Sequence, residues 1–214
     1  MENIKLFATT AKKNYYEESP DYLEPYVSLD DSTNKVSYNI EHSIIKITVA
    51  QGKTVAMYNG STLKSGVNII DTKNKTLDGF QFANGRENIE SVDLTDYKGV
   101  EIQNGYLAQC TKLTNVILPN STFYLEDRIF DFCDNLRKVV ISGNITRVGQ
   151  NVFDGCAVLF DVVLKTPYPT NILIQMLSQI QMLTNIYVPR DAVQTYKTAP
   201  GWERYASMIK PIEE

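Results

Sequence analysis

Residues 113–158 contain one pattern twice, as LTNVILPNSTFYLEDRIFDFCDN from position 113 and as LRKVVISGNITRVGQNVFDGCAV from position 136. The repeat length is therefore 23 residues, and the three cysteines of the chain, Cys110, Cys133 and Cys156, keep the same spacing. Periods of about 20 to 50 residues are typical of repeat proteins, in which each unit buries its apolar side against its neighbours. The stretch thus predicts a short solenoid.

The first, fourth and sixth positions of each repeat are apolar, as in Leu113, Val116 and Leu118. Alternate residues of an extended strand point to opposite sides, so positions four and six are expected in the core. Phenylalanine and cysteine at a spacing of three, as in Phe130 and Cys133, share one side of a helical turn. We therefore interpret the cysteines as buried thiols of the scaffold in a reducing compartment, with neither a disulfide nor a catalytic role.

Positions three and five of the repeats are expected to point outward, and they form the candidate protein-contact face. Its residues are Asn115, Ile117, Lys138, Val140, Asp161, Val163, Asn185 and Tyr187, preceded by Ser91 and Asp93 in the first repeat. Adjacent apolar residues on an exposed face indicate a protein contact. Two alternatives stay open: branched and aromatic residues favour strands in any case, and the N-terminal region could cover part of the face.

Four regions are predicted. Residues 1–40 form a strand–helix–hairpin module, 41–88 a β-rich cap, 89–188 the repeats and 189–214 a C-terminal cap of two helices. Within the repeats, the unit that starts at Leu159 loses its cysteine and its usual turn, so an interruption of the sheet is expected there, followed by a helix around Ile172–Ile180. The fold class is α+β and β-rich.

Catalytic chemistry has little support in the sequence. There is a single histidine, His42, no paired cysteine motif and no glycine-rich phosphate loop. The adjacent carboxylates Glu126 and Asp127 are interpreted as solvated loop residues. We predict no catalytic residue, no metal and no cofactor. The competing hypothesis is a carbohydrate-active or other enzyme with a site between the N-terminal module and the repeats.

Charge and hydropathy limit the partners. The net charge is −4 and the pI is about 5.2, whereas nucleic-acid binding depends on Lys and Arg that neutralise phosphates. The longest apolar runs are only a few residues, and a membrane-spanning helix needs about 20. A nucleic-acid partner and a membrane span are therefore not expected. Protein partners are expected, and a surface glycan is left open.

The repeats resemble the BspA-like, treponemal-type leucine-rich repeat. The matching positions are Leu113, Val116, Leu118, Pro119, Phe130 and Cys133, and then Leu136, Val139, Ile141, Val148, Gly149, Phe153 and Cys156. The resemblance implies non-catalytic binding, as a surface adhesin or as a virion component. The front segment YLEPYVSLDDSTNKVSYN (22–39) is similar to leader modules on repeat proteins of gut bacteria and their phages. The N-terminus lacks the pattern of a secretory signal, which favours a phage virion or the cytoplasm; the alternative is the bacterial cell surface after removal of a leader.

Overall fold

The computed structural model describes residues 43–72, 77 and 80–213, with the backbone alone at position 122, and it gives the backbone of two further strands near the N-terminus. These two strands, β1 (Val27–Asp30) and β2 (Lys35–Tyr38), pair antiparallel and coincide with the predicted hairpin. The strand and the helix predicted within residues 1–20 lie outside the described residues, as does His42.

An eight-stranded sheet is the main element of the fold. In sheet order its strands are β16 (Ile209–Pro211), β15 (Asn185–Val188), β14 (Asp161–Leu164), β12 (Lys138–Ile141), β10 (Asn115–Ile117), β8 (Ile89–Asp93), β3 (Ile44–Val49) and β6 (Gly66–Asp71). The strands from β8 to β16 are parallel, and β3 is antiparallel to both β8 and β6.

Register explains how such short strands are stable. The fourth position of each repeat pairs with the fourth position of the next, so one inward row crosses the sheet. The row consists of Val92, Val116, Val139, Val162, Ile186 and Ile209, each at most 3% exposed. It belongs to a single core cluster that extends from Ile45 to Ile209. Within the described part of the chain, no helix has the length and apolar character to span a membrane.

Each of three repeats also contributes a strand to a second parallel sheet, which the sequence did not lead us to expect. Its strands are β9 (Glu101–Ile102), β11 (Thr122–Leu125) and β13 (Asn144–Val148), in the order β13–β11–β9. Phe123 and Leu125 point into the core and are fully buried. The repeats therefore bond to one another along two sheets.

The segment after the second sheet is a series of turns with two columns of left-handed residues. The first column is Gly105, Arg128 and Asn151, with φ of 62°, 55° and 54°, and the second is Gln109, Phe132 and Gly155, with φ of 62°, 55° and 70°. The turns bond from one repeat to the next: Leu107 N–H donates to Ile129 O at 3.0 Å, and Phe130 N–H donates to Val152 O at 2.9 Å. The Phe-x-x-Cys segment is thus a turn in the structure and not the helical turn that we expected.

The region before the repeats supplies β3 and β6 and a small antiparallel sheet. That sheet consists of β4 (Val55–Met57), β5 (Thr62–Leu63) and β7 (Phe82–Asn84), and a 3₁₀ turn at Arg86–Asn88 leads into β8. Ile45, Ile47 and Val49 alternate with polar residues along β3 and are buried, so β3 extends the core beyond the first repeat.

The fourth repeat corrects one prediction. We expected an interruption of the sheet at this repeat, but β14 pairs with both β12 and β15, so the sheet is continuous. What changes is the rest of the repeat, where helix α1 (Asn171–Leu177) takes the place of a further strand next to β13. Leu173, Met176 and Leu177 are buried, as predicted from their helical spacing.

The C-terminus corrects another prediction, because it ends in a strand. After a 3₁₀ turn at Arg190–Ala192 and helix α2 (Val193–Thr198), the second predicted helix is only one 3₁₀ turn at Glu203–Tyr205. The chain then pairs with β15 as β16, which satisfies backbone groups of β15 that a helix would leave open. Trp202 is fully buried, with its ring edge-on to Tyr196 at a centroid distance of 4.7 Å.

Candidate functional site

The eight-stranded sheet has an outer face, on the side opposite the core. Two rows of side chains cross this face because the strands are in register. The position-3 row is Thr48, Ser91, Asn115, Lys138, Asp161 and Asn185, and the position-5 row is Lys46, Asp93, Ile117, Val140, Val163, Tyr187 and Lys210. None of these residues belongs to the core cluster. The structure thus places all eight predicted contact residues together in two adjacent rows.

The exposure of two of these residues differs from our expectation. Val140 and Val163 were predicted to be exposed, but they are only 9% and 7% exposed. Each lies between apolar residues at the same register position of the two neighbouring strands. Because these strands are only about 4.8 Å away, the neighbouring side chains shield the valine from solvent. The flanking Ile117 and Tyr187 stay partly exposed, and Lys138 is exposed. Ile117, Val140, Val163 and Tyr187 together form what we call the apolar strip.

At the β16 end, hydrogen bonds hold the polar side chains of the outer face in place. Lys210 Nζ donates to Asn185 Oδ1 at 2.6 Å, and Asn185 Nδ2 donates to Asp161 Oδ1 at 2.7 Å. Burial raises the pKa of Tyr187, and the nearby carboxylates of Asp161 and Glu213 raise it further. The Tyr187 hydroxyl therefore keeps its proton at neutral pH and can donate a hydrogen bond.

At the other end of the apolar strip, charged side chains pair across strands. Lys46 Nζ lies 3.5 Å from Asp93 Oδ2 and 3.7 Å from Asp96 Oδ2. Burial acts to raise the pKa of Asp93, but hydrogen bonds from Thr95 and the Lys46 ammonium outweigh it and hold that pKa below its usual value. Because both partners of the Lys46–Asp93 pair are over 30% exposed, the pair fixes side-chain positions more than it stabilises the fold.

Lys46, Thr48 and Lys210 in these two rows were missed by the sequence reasoning. Lys46 and Thr48 alternate with the buried isoleucines of β3, and that alternation was the available signal. What the sequence did not show is that β3 lies beside β8. Lys210 was assigned to a helix, and its strand became evident only in the structure.

The cysteines provide no reactive group at the surface. Cys110 and Cys133 are fully buried and Cys156 is 6% exposed. The thiols of Cys133 and Cys156 donate to Leu107 O at 3.1 Å and to Phe130 O at 3.2 Å, each in the preceding repeat. Burial raises the pKa of Cys110 and of Cys156 to about 12 and raises that of Cys133 as well. The thiols are therefore protonated at neutral pH, when they are poor nucleophiles and poor metal ligands.

Other titratable groups also have structural partners. Glu126 contacts Arg147, and Asp127 Oδ1 accepts the Gln150 N–H at 2.8 Å. Both carboxylates are half-buried, which corrects our interpretation of them as solvated loop residues. Among the described residues, no three His, Cys, Asp or Glu side chains come together in a group able to hold a metal ion.

Comparison with known families gives an independent result. The family model for the BspA type leucine rich repeat region matches the chain in six copies, over residues 35–160 and 75–199. The two matches overlap and together cover most of the chain. Among curated proteins, no match is found.

Proposed function

Since the chain belongs to the BspA-type leucine-rich repeat family, we propose that it is a non-enzymatic protein that binds another protein through the outer face of its eight-stranded sheet. Leucine-rich repeat regions generally mediate protein interactions. The proposal adds the location of the contact, which the family alone does not specify.

The observation that carries this proposal is the apolar strip. Four apolar side chains lie side by side on the face opposite the core, and Ile117 and Tyr187 at its two ends are partly exposed. The polar groups on both flanks are held by hydrogen bonds or ion pairs. An apolar centre with a polar rim is the usual composition of a protein interface. Side chains that are already fixed lose little conformational entropy on binding, which favours affinity.

The partner that fits this face presents an apolar ridge along the strip. Its polar groups would meet the position-3 row, where Lys138 is the exposed cation. Charged groups on an interface contribute more to orientation and to the association rate than to affinity. We therefore propose that the apolar strip supplies most of the binding affinity and that the position-3 row determines which partner is bound.

The setting that we propose is a phage virion or a bacterial surface. It is supported by the family and by the resemblance of residues 22–39 to leader modules of phage and gut-bacterial repeat proteins. Mass spectrometry of virions purified from the source, compared with surface-shaved cells, distinguishes the two settings. Detection in neither fraction contradicts both.

Two substitutions test the binding face. Tyr187→Ala removes one partly exposed end of the apolar strip, and Lys138→Glu reverses the charge of the exposed cation in the position-3 row. Their matched controls are Tyr58→Ala and Lys53→Glu, which change exposed residues of the same types next to the small antiparallel sheet, outside the eight-stranded sheet. We expect the double variant at Tyr187 and Lys138 to bind its captured partner at least about 10-fold more weakly, as loss of one good contact predicts.

The controls define the contrary outcome. The Tyr58 and Lys53 variants are expected to bind as the wild type does, and all variants are expected to keep its circular dichroism spectrum. If a folded double variant at Tyr187 and Lys138 retains full binding, the outer face is not the contact.

A further inference from the structure

The eight-stranded sheet ends in two different edges. The edge at β16 is three residues long and contains Lys210 and Pro211. Short length, lysine and proline are features by which natural sheets prevent the addition of foreign strands. The edge at β6 is six residues long, from Gly66 to Asp71, and it has neither proline nor a basic residue. The β6 edge therefore lacks the usual protection.

The backbone of β6 has hydrogen-bonding groups that face away from the sheet. Thr72 N–H donates to Ser43 O at 2.7 Å, so the backbone of Thr72 faces β3. Hydrogen-bonded and non-hydrogen-bonded pairs alternate along antiparallel strands, so every second residue of β6, such as Ile70, also bonds to β3. The N–H and C=O of the intervening Val67 and Ile69 therefore point to the open side. In the part of the chain that the structure describes, these groups have no partner.

The side chains at the same edge are apolar and exposed. Val67 is 62% exposed and Ile69 is 40% exposed, although both continue the outer face of an ordered strand. An open strand with unpaired backbone groups and apolar side chains is suited to strand addition. The remaining question is which strand occupies it.

The position of the N-terminal segment identifies the occupant. The first 42 residues join the described body at Ser43, which is 1% exposed and bonded on two sides. Thr72 Oγ1 donates to Ser43 Oγ at 2.8 Å, and Lys98 N–H donates to the same oxygen at 3.0 Å. Ser43 immediately precedes β3 and Thr72 immediately follows β6, so the chain joins the sheet at the corner of the open edge.

The connection between β2 and β3 is long enough for the hairpin to reach the open edge of β6. Residues 39–43 separate β2 from β3, and five residues span at most about 17 Å. The position beyond β6 is two strand spacings from β3, about 10 Å, whereas the position beyond β16 is about 33 Å away and out of reach. An isolated two-stranded hairpin is only marginally stable in water, so β1 and β2 gain from joining a larger sheet.

In the structure the β1–β2 hairpin forms a two-stranded sheet of its own. We propose that in solution it adds to the open edge of β6 in the same molecule and extends the sheet from eight strands to ten. One strand of the hairpin bonds to the N–H and C=O groups of Val67 and Ile69. The hairpin then protects this edge from pairing with other chains, as Lys210 and Pro211 do at the opposite edge. This inference does not depend on the proposed binding face.

Amide exchange on the full chain, measured residue by residue by NMR, tests the proposal. In the wild type we expect the N–H groups of Val67 and Ile69 to be protected at least about 100-fold relative to an unfolded chain, and amide–amide NOEs to connect them to residues 27–38. Val36→Pro removes a donor from β2 and disfavours the hairpin. It should accelerate exchange at Val67 and Ile69 at least about 10-fold, while Ile70, which bonds to β3, keeps its protection.

Val36→Thr is the matched control, because it retains both the N–H and the branched side chain, and it should leave the exchange unchanged. Unprotected Val67 and Ile69 in the wild type overturn the proposal without any variant. Protection that falls on dilution, with a doubled mass by light scattering, also overturns it, because the occupant is then a second copy. If Val36→Pro also accelerates amide exchange at Ile70, the wild-type NOEs decide: NOEs between Val67 or Ile69 and residues 27–38 support the proposal, and their absence overturns it.

Discussion

The side chain of Gln179 bonds to the last turn of the third repeat, so its removal tests how the end of the repeats is held in place. Its Oε1 accepts the Val152 N–H at 2.8 Å, and its Nε2 donates to Gly149 O at 2.9 Å. In the earlier repeats, backbone groups of each turn bond directly to the next turn, as Arg128 N–H does to Gln150 O at 3.0 Å. After the third repeat α1 occupies the place of the next turn, and the side-chain amide of Gln179 bonds to the last turn instead.

Gln179→Ala should destabilise the protein by about 2 kcal/mol. Each neutral hydrogen bond contributes a net of about 0.5–1.5 kcal/mol, and Val152 N–H would lose its partner in a half-buried position. For a protein of this size the loss corresponds to a decrease in Tm of about 4–8 °C. Gln175→Ala is the matched control, since Gln175 is exposed on α1 and alanine is a good helix former.

Thermal and urea unfolding followed by circular dichroism measure the global effect, and amide exchange measures the local one. The Val152 N–H should exchange faster in the Gln179 variant than in the Gln175 variant. If the two variants have equal Tm and equal Val152 exchange, the side chain of Gln179 does not hold the last turn of the repeats and the reasoning fails.

Two further predictions concern the packing of the repeats and the buried thiols. A Cβ at Gly143 would lie 2.1 Å from Ser121 O and 2.4 Å from Pro119 O, so Gly143→Ala should cost about 3 kcal/mol in urea unfolding. Gly60→Ala, which has φ of +87° but open space, should cost only about 1 kcal/mol, and equal costs would contradict the close inter-repeat packing. The three thiols should resist a thiol reagent at pH 8 until the protein unfolds, because burial raises their pKa. Above about pH 9 the unfolded chain releases its thiol protons, whereas the folded chain retains them. The free energy of unfolding should therefore fall as pH rises, and it should fall less steeply in Cys133→Ala. Rapid labelling of the native protein would show that the thiols are accessible.

The repeating core was predictable because it depends on periodicity alone. Apolar residues at fixed positions, as in Val116 and Val139, identify the inward row without knowledge of which strands are neighbours. The helix at Asn171–Leu177 was predictable for the same reason. The second sheet was not, because β9 has only two residues and the burial pattern of β13 does not alternate strictly.

The outer face was predictable in position but not in exposure. The outward side of Val140 follows from alternation within one strand, whereas its cover by Ile117 and Val163 follows from the register between strands. Lys46 and Lys210 join the face from strands outside the repeats, and only tertiary structure brings such segments together. The last strand was missed because a three-residue segment that ends in Pro211 looks more like the end of a helix or loop than like an edge strand.

The two left-handed columns have a consequence for how this protein can change in length. Each column contains only one glycine, and the other members are Arg128 and Asn151 in the first and Gln109 and Phe132 in the second. The backbone conformation is therefore imposed by the hydrogen bonds between successive turns more than by the local residue. A repeat copied or deleted as a whole 23-residue unit would meet neighbours that impose the same conformation. Removal of residues 136–158 would place Ile129 N–H and Glu126 O where Gln179 now finds Val152 N–H and Gly149 O. Such a fold can grow or shrink by genetic duplication and loss without redesign of its ends.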